Sequence, residues 1–346
     1  MSKNLFLTVA SILHFLVDCL CLLAIYLIIK TNLYGSAYIL NLFLIYNFLA
    51  FATQPLWGLI SDRFGYEKLF AISGAILVII GASMIYYSPI ISVIFCGIGN
   101  AIFHIGAGSL VLQLYTKRFF PIGVFVAPGA IGITLGILAS SFAFDFRIIL
   151  TVLILITILM LSFTETTAKN YKYHLVGTFK LGAKHIITLL SLLLIAVFLR
   201  AFTGSIISFS WKTDVVLLWL LTFSISLGKG FGGLFADKFG WFKTSVLALS
   251  TSAILLGFFA QTPSTGIIGS FLFNLTMPIT LFLTYKILNT RPGLAFGLTC
   301  LGLYFGSLIT YTDLKYSFSN GIYIAFSIIL GLLALLIAYK LYFNKA

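Results

Sequence analysis

Long apolar runs, each near the roughly 20 residues that cross a bilayer as a helix, alternate along this chain with short polar connections. The runs predict membrane spans at 5–29, 36–60, 69–87, 90–114, 121–141 and 148–163. A polar stretch follows at 164–185, then further runs at 186–209, 215–235, 244–261, 266–287, 294–311 and 321–342. The twelve spans divide six and six, and the connections repeat that division. Gly58-Leu-Ile-Ser-Asp62-Arg63-Phe-Gly65-Tyr-Glu-Lys68 returns as Gly233-Leu-Phe-Ala-Asp237-Lys238-Phe-Gly240-Trp-Phe-Lys243, every shared residue displaced by 175 positions, about half of the 346-residue chain. One half reads as a copy of the other. The pattern predicts an all-α membrane protein with twelve transmembrane helices in two pseudosymmetric six-helix bundles. Its domains are an N-terminal bundle at 1–163, a basic cytoplasmic linker at 164–185 and a C-terminal bundle at 186–346.

Composition excludes a water-soluble fold. Charged residues make up 8% of the chain against about 25% in soluble domains, apolar residues 61%, and the mean hydropathy is +1.13. A net charge of +13 raises the question of nucleic acid, but its distribution answers otherwise. With the amino terminus inside, sixteen of the 21 Lys and Arg fall in cytoplasmic segments, which is the asymmetry that orients a membrane protein. Both termini are therefore expected in the cytoplasm, the location in the cell membrane, and no nucleic-acid partner. The apolar run after Met1-Ser-Lys3 is too long for a signal peptide and has no small-residue cleavage site behind it, so it reads as a retained first helix. Cys19, Cys21, Cys96 and Cys300 all fall within spans, where thiols behave as small apolar groups. No disulfide, metal site or cofactor is implied.

In each repeated turn the glycines permit tight reversal, while Asp62, Arg63 and Lys68, and Asp237, Lys238 and Lys243, sit where headgroups and water begin. Such a turn can be a latch: Asp62 accepting from a helix amino terminus of the opposite half, and Arg63 pairing with an acid. The alternative is a solvated loop carrying ordinary positive-inside charge. Gly-x-x-x-Asp-Arg-x-Gly-x-x-Lys between the second and third of twelve helices resembles the signature loop of the major facilitator superfamily, with Gly233 to Lys243 resembling its second copy. That resemblance spans essentially the whole chain. It implies two six-helix bundles, a central site between them and alternating access. Tyr66-Glu67 departs from the family, which often has another basic residue there.

The chemistry-bearing residues inside spans are few. His14 and Asp18 are four apart on span one and share a face. An acid at mid-helix costs about 2.5–3.5 kcal/mol to insert, so it marks a proton site or pathway, or else a structural ion pair. On span four Asn100 and His104 share a face among Gly97, Gly99, Gly106 and Gly108. Together with Ser11-Ile-Leu-His14 and Asp18, that segment resembles the fosmidomycin-resistance branch of the superfamily, with Ile105 where the branch has proline. Span five carries Gly123, Ala127-Pro128-Gly129, Gly132 and Gly136, a small-residue stripe that packs helices closely and loosely resembles an antiporter motif. Arg200 on span seven aligns, through Phe15-Leu16 and Phe198-Leu199, within one residue of Asp18, and is a fixed cation for an anionic substrate or a carboxylate. Asn274, Thr276 and Thr280 surround Pro278 on span ten and join the candidate site. Asn47 and Gln54 on span two and Thr203 on span seven are further candidate cavity liners, each equally able to bond a neighbouring helix.

The expected function is a secondary active transporter, acting as a monomer on a small organic molecule by alternating access, proton-coupled through Asp18 with His14 or His104, and exporting rather than importing. No Gly-x-x-x-x-Gly-Lys-Ser/Thr phosphate loop is present to use nucleotide. The alternatives are uptake of an organic anion held by Arg200, a membrane-embedded enzyme using His104 and Asp18, and a sensor that does not transport. The duplicated turns argue against an enzyme.

Overall fold

A computed structural model describes residues 3–31, 34–164 and 182–343. The expected linker, with Lys169, Lys172 and Lys180, lies mostly outside these residues. Among them the chain is helical: α1 (Lys3–Lys30), α2 (Ser36–Asn47), α3 (Gln54–Phe64), α4 (Glu67–Ser83), α5 (Pro89–Leu114), α6 (Phe120–Ala139), α7 (Arg147–Ser162), α8 (Ala183–Ile206), α9 (Val215–Phe239), α10 (Trp241–Phe258), α11 (Pro263–Asn274), α12 (Thr276–Leu288), α13 (Pro292–Ser307), α14 (Leu314–Phe318) and α15 (Gly321–Phe343). Ten segments are long and apolar enough to cross a membrane. With the 17-residue α4 and 16-residue α7 they make the twelve expected spans.

Two spans are not single helices. At the second, Pro55 has no N–H to give the helical ladder. The chain responds with a π-helical turn at Phe48–Ala52, where Thr53 N donates to the Phe48 carbonyl at 3.2 Å, before α3 starts at Gln54. At the tenth, α11 and α12 meet at Leu275, three residues before Pro278. Lys229, one of the sixteen basic residues assigned from sequence to cytoplasmic segments, lies within α9. Helix ends follow local chemistry elsewhere: the Asp214 carboxylate accepts from Leu217 N at 2.9 Å to start α9, and Gly65, at φ 68°, closes α3.

The chain forms two compact units. The first comprises Met1–Thr116, Val124–Lys172 and Arg291–Gly297; the second comprises Lys117–Gly123, Tyr173–Thr290 and Leu298–Ala346. Each unit therefore takes in a seven-residue segment from the other half of the sequence. In the first, α5 is buried on all sides from Gly99 to Leu112, the pattern of a helix in the middle of a bundle. Its glycines allow that depth, since a Cβ at Gly99 would stand 2.7 Å from the Gly74 carbonyl of α4. The stripe on α6 lies along α1, with Gly132 against the Phe15 carbonyl and Gly136 against that of Cys19. The second unit packs Leu189 and Leu193 of α8, Leu249 and Leu256 of α10, and Ile328 and Leu335 of α15 into one core. All four cysteines are buried and none is in a disulfide.

Candidate functional site

His14 and Asp18 of α1 and Asn100 and His104 of α5 meet inside the first unit, all at most 7% exposed. His14 Nε2 lies 3.1 Å from Asp18 Oδ2, and His104 Nε2 lies 3.8 Å from Asp18 Oδ1. Asn100 Nδ2 donates to the same Oδ1 at 2.9 Å. The two imidazoles face each other edge to face, Nε2 to Nε2 at 2.9 Å. Their other nitrogens are committed: His14 Nδ1 to the Phe125 carbonyl at 2.7 Å and His104 Nδ1 to the Asn100 carbonyl at 2.8 Å.

A carbonyl can only accept, so both Nδ1 atoms carry hydrogen. Two bare Nε2 lone pairs would then repel across 2.9 Å, and a further proton between them turns repulsion into a hydrogen bond. A proton shared there would make one ring an imidazolium beside the Asp18 carboxylate and leave the three groups together neutral. Neutrality is what a group of ionisable residues needs in a medium that charges poorly solvate. The same three ligand atoms lie within 4.8 Å of one another, a grouping of metal-ligand type that was not recognised from sequence. Nitrogen ligands at 2.0–2.1 Å from a tetrahedral ion stand about 3.3 Å apart, so the closer imidazole pair fits a proton better than an ion.

The local sequence explains the assembly. Four-residue spacing puts each pair on one helix face. Pro128 withdraws an N–H from the α6 ladder in the turn whose Phe125 carbonyl holds His14. Gly129 then leaves the space the cluster needs, since a Cβ there would stand 2.5 Å from His14 Nε2 and 2.6 Å from Asp18 Oδ2. Sequence reasoning placed Gly129 in a close-packing stripe that loosely resembles an antiporter motif and did not bring it to the cluster; its place beside Pro128 was the available signal. Asn100 Oδ1 is buried without a partner.

Arg200 belongs to the second unit. Its guanidinium donates to Thr280 Oγ1 at 3.1 Å, and it lines a cavity with Thr203, Thr276 and Thr280. Ser327, which sequence reasoning missed, stands in the same wall with its hydroxyl 2.7 Å from that of Thr203. Asp18 and Arg200, at matching positions of the two halves, thus take the partners described here inside their own units. Asn274 Nδ2 donates to the Ser270 carbonyl and is not part of that wall. On span two, Asn47 donates to the Phe43 carbonyl, and Gln54 is buried at the helix break with Nε2 on Ala50 O and Oε1 unpaired.

Both repeated turns hold a helix start. Asp62 accepts from Gly293 N at 2.7 Å and Leu294 N at 2.9 Å, the first turn of α13. Asp237 accepts from Phe119 N at 2.8 Å and Phe120 N at 3.0 Å, at the beginning of α6. Each carboxylate satisfies two orphan N–H groups at the positive end of a helix dipole. Gly58 and Gly233 permit the approach, as a Cβ at 58 would meet the Gly293 carbonyl and one at 233 would stand 2.6 Å from Phe120 Cα. Arg63, expected to pair with an acid, instead lies over the Phe64 ring, and Lys238 over that of Phe239. Lys68 caps the carboxyl end of α7 through the Ser162 and Thr164 carbonyls, at 2.8 and 2.7 Å, whereas Lys243 is exposed. Glu67, where the resemblance leads to a basic residue, is buried and accepts from Gln113 Nε2 at 2.7 Å. A glutamine 46 residues away left no signal in the sequence.

No family model matches the chain, and no curated protein matches it by sequence. Solved structures do. The E. coli fucose:proton symporter superposes with a TM-score of 0.69 at 13% identity, covering 99% of this chain and 98% of that one. A proton:xylose symporter of the major facilitator superfamily gives 0.65 at 14% identity, covering 98% and 96%. The human organic anion transporter TETRAN gives 0.64 at 14% identity, covering 98% and 100%. The chain has the twelve-helix major facilitator fold.

Proposed function

We propose that this protein is a secondary active transporter of the cell membrane that moves a small organic molecule by alternating access and couples that movement to protons. The observation that carries the proposal is the closed His14–His104–Asp18 cluster, with its imidazoles 2.9 Å apart and the carboxylate 3.1 Å from His14, a geometry suited to one shared proton. Losing that proton leaves an uncompensated carboxylate deep in a bundle, at a cost a rearrangement of helices can relieve. Proton release and conformational change are then one event. Two of the similar structures are proton symporters and one is an organic anion transporter, which supports the transporter class. Export in exchange for protons is favoured by the α6 stripe around Ala127-Pro128 and the resemblance of spans one and four to the fosmidomycin-resistance branch. The second reading, uptake of an organic anion, is favoured by Arg200, whose cavity contains no acid.

Inverted membrane vesicles test the first reading, with respiration acidifying their interior and ethidium as a cationic probe. Protein-containing vesicles should accumulate ethidium, accumulation should collapse with a protonophore, and Asp18→Asn should abolish it. Accumulation untouched by Asp18→Asn would remove the proton role. Export by exchange is overturned if acidifying the interior instead drives preloaded probe out of the vesicles, the direction of symport.

A further inference from the structure

The cavity of the second unit has an unusual charge balance. Arg200 makes, among the described residues, one hydrogen bond, to Thr280 Oγ1, while a guanidinium carries five N–H donors. No aspartate or glutamate stands in the cavity wall. Hydroxyls carry no charge and cannot balance it. Thr280 donates to Thr276 O or Met277 O and Thr276 to Phe273 O; of Thr203 and Ser327, 2.7 Å apart, one donates to the other, which donates to its own carbonyl, Leu199 O or Ile324 O. What faces the space is a fixed cation with unused donors. Within a membrane-embedded bundle, such a cation calls for an anion.

We infer that the Arg200 cavity is a binding subsite for a small monocarboxylate. Its planar fork matches the two oxygens of a carboxylate. Thr203 and Ser327, already in contact, can turn one hydroxyl proton from a carbonyl toward the bound anion. Leu249, Phe273 and Ile328 supply an apolar wall for a short hydrocarbon stem. As it stands the cavity has about 10 Å³ open to the centre of a water-sized sphere, room for about one water, so the carboxylate enters as the helices of the unit part. The inference deepens the second reading, uptake of an organic anion, by naming the class of cargo, and rests on it for that role alone.

The test uses the purified full-length protein with sodium butyrate, its neutral counterpart butyramide, and chloride, at ionic strength held constant with sulfate. Butyrate should raise Tm by about 3 °C or more at saturation, and neither butyramide nor chloride should match it. Arg200→Gln should erase the shift, Arg200→Lys weaken binding about tenfold through loss of the fork, and Thr280→Val weaken it several-fold. If Arg200→Gln does not fold, the titrations of the lysine and valine variants decide. An equal shift with butyramide, or an undiminished one in the variants, overturns the site. A shift produced by chloride alone overturns its assignment to a carboxylate. Counterflow of labelled butyrate in proteoliposomes separates the two ideas: binding without counterflow removes the cargo role and leaves the site, and ethidium transport without butyrate binding removes the site and leaves the transporter.

Discussion

Gly129 carries the most constrained position in the titratable cluster, because any side chain there enters the space of His14 and Asp18. Gly129→Ala should cost about 1–3 kcal/mol as overpacking and abolish proton-driven transport while the protein still reaches the membrane, measured by melting temperature and vesicle flux. His104→Gln should also abolish coupling, since glutamine does not bridge His14 by proton exchange. At the extramembrane turn before α7, Asp145 accepts from Arg147, and that hydrogen bond holds its carboxyl below the usual aspartate range. A lowered folded-state value gives stability present above the ordinary aspartate pKa and lost as pH falls through the folded value. Melts run down an acid series should show this loss in the wild type and not in Asp145→Asn; the exposure of the pair keeps it small. At this scale the spacing in the sequence showed that His14 shares a face with Asp18, and Asn100 with His104. It did not show that these two faces meet, because helix rotation in an almost uniformly apolar bundle leaves little periodic trace: α5 is buried on every side.

Among elements, the repeated turns act by holding helix starts. Asp62→Asn keeps one acceptor oxygen for two N–H groups and loses the charge that favours a helix amino terminus, at about 1 kcal/mol. Hydrogen exchange should speed up at Gly293 and Leu294 in that variant, and at Phe119 and Phe120 in Asp237→Asn; unchanged protection would show that the carboxylates are incidental. The paired turns were legible because the aspartate and glycines recur in register, whereas the helix starts they hold were not: Phe120 and Pro292 do not announce which carboxylate they will meet. The breaks in the second and tenth spans were half legible. Pro55 and Pro278 marked them, yet hydropathy reads straight through both, since an apolar segment stays apolar whether or not its backbone ladder is interrupted.

For the molecule as a whole, each compact unit includes seven residues from the other half of the sequence, 291–297 in one and 117–123 in the other. The chain divided into co-expressed fragments 1–172 and 173–346 should therefore still co-purify, and Asp62→Asn with Asp237→Asn together should lower the recovery of the pair. Fragments that never associate would contradict that exchange. The duplication itself was plain in the primary structure, and the fold follows it. The exchange was not, because it depends on short segments at helix starts whose composition is unremarkable for membrane helices.

The two turn glycines no longer share a conformation, even though they occupy equivalent places in the duplicated unit. Gly65 sits at φ 68°, ψ 30°, within the left-handed basin that asparagine also visits, while Gly240 sits at φ 87°, ψ 139°, where a side chain collides with its own backbone. In a library of substitutions, position 65 should return asparagine among its survivors, and position 240 should return glycine alone. After gene duplication, one turn kept latitude for mutational drift and its twin lost it.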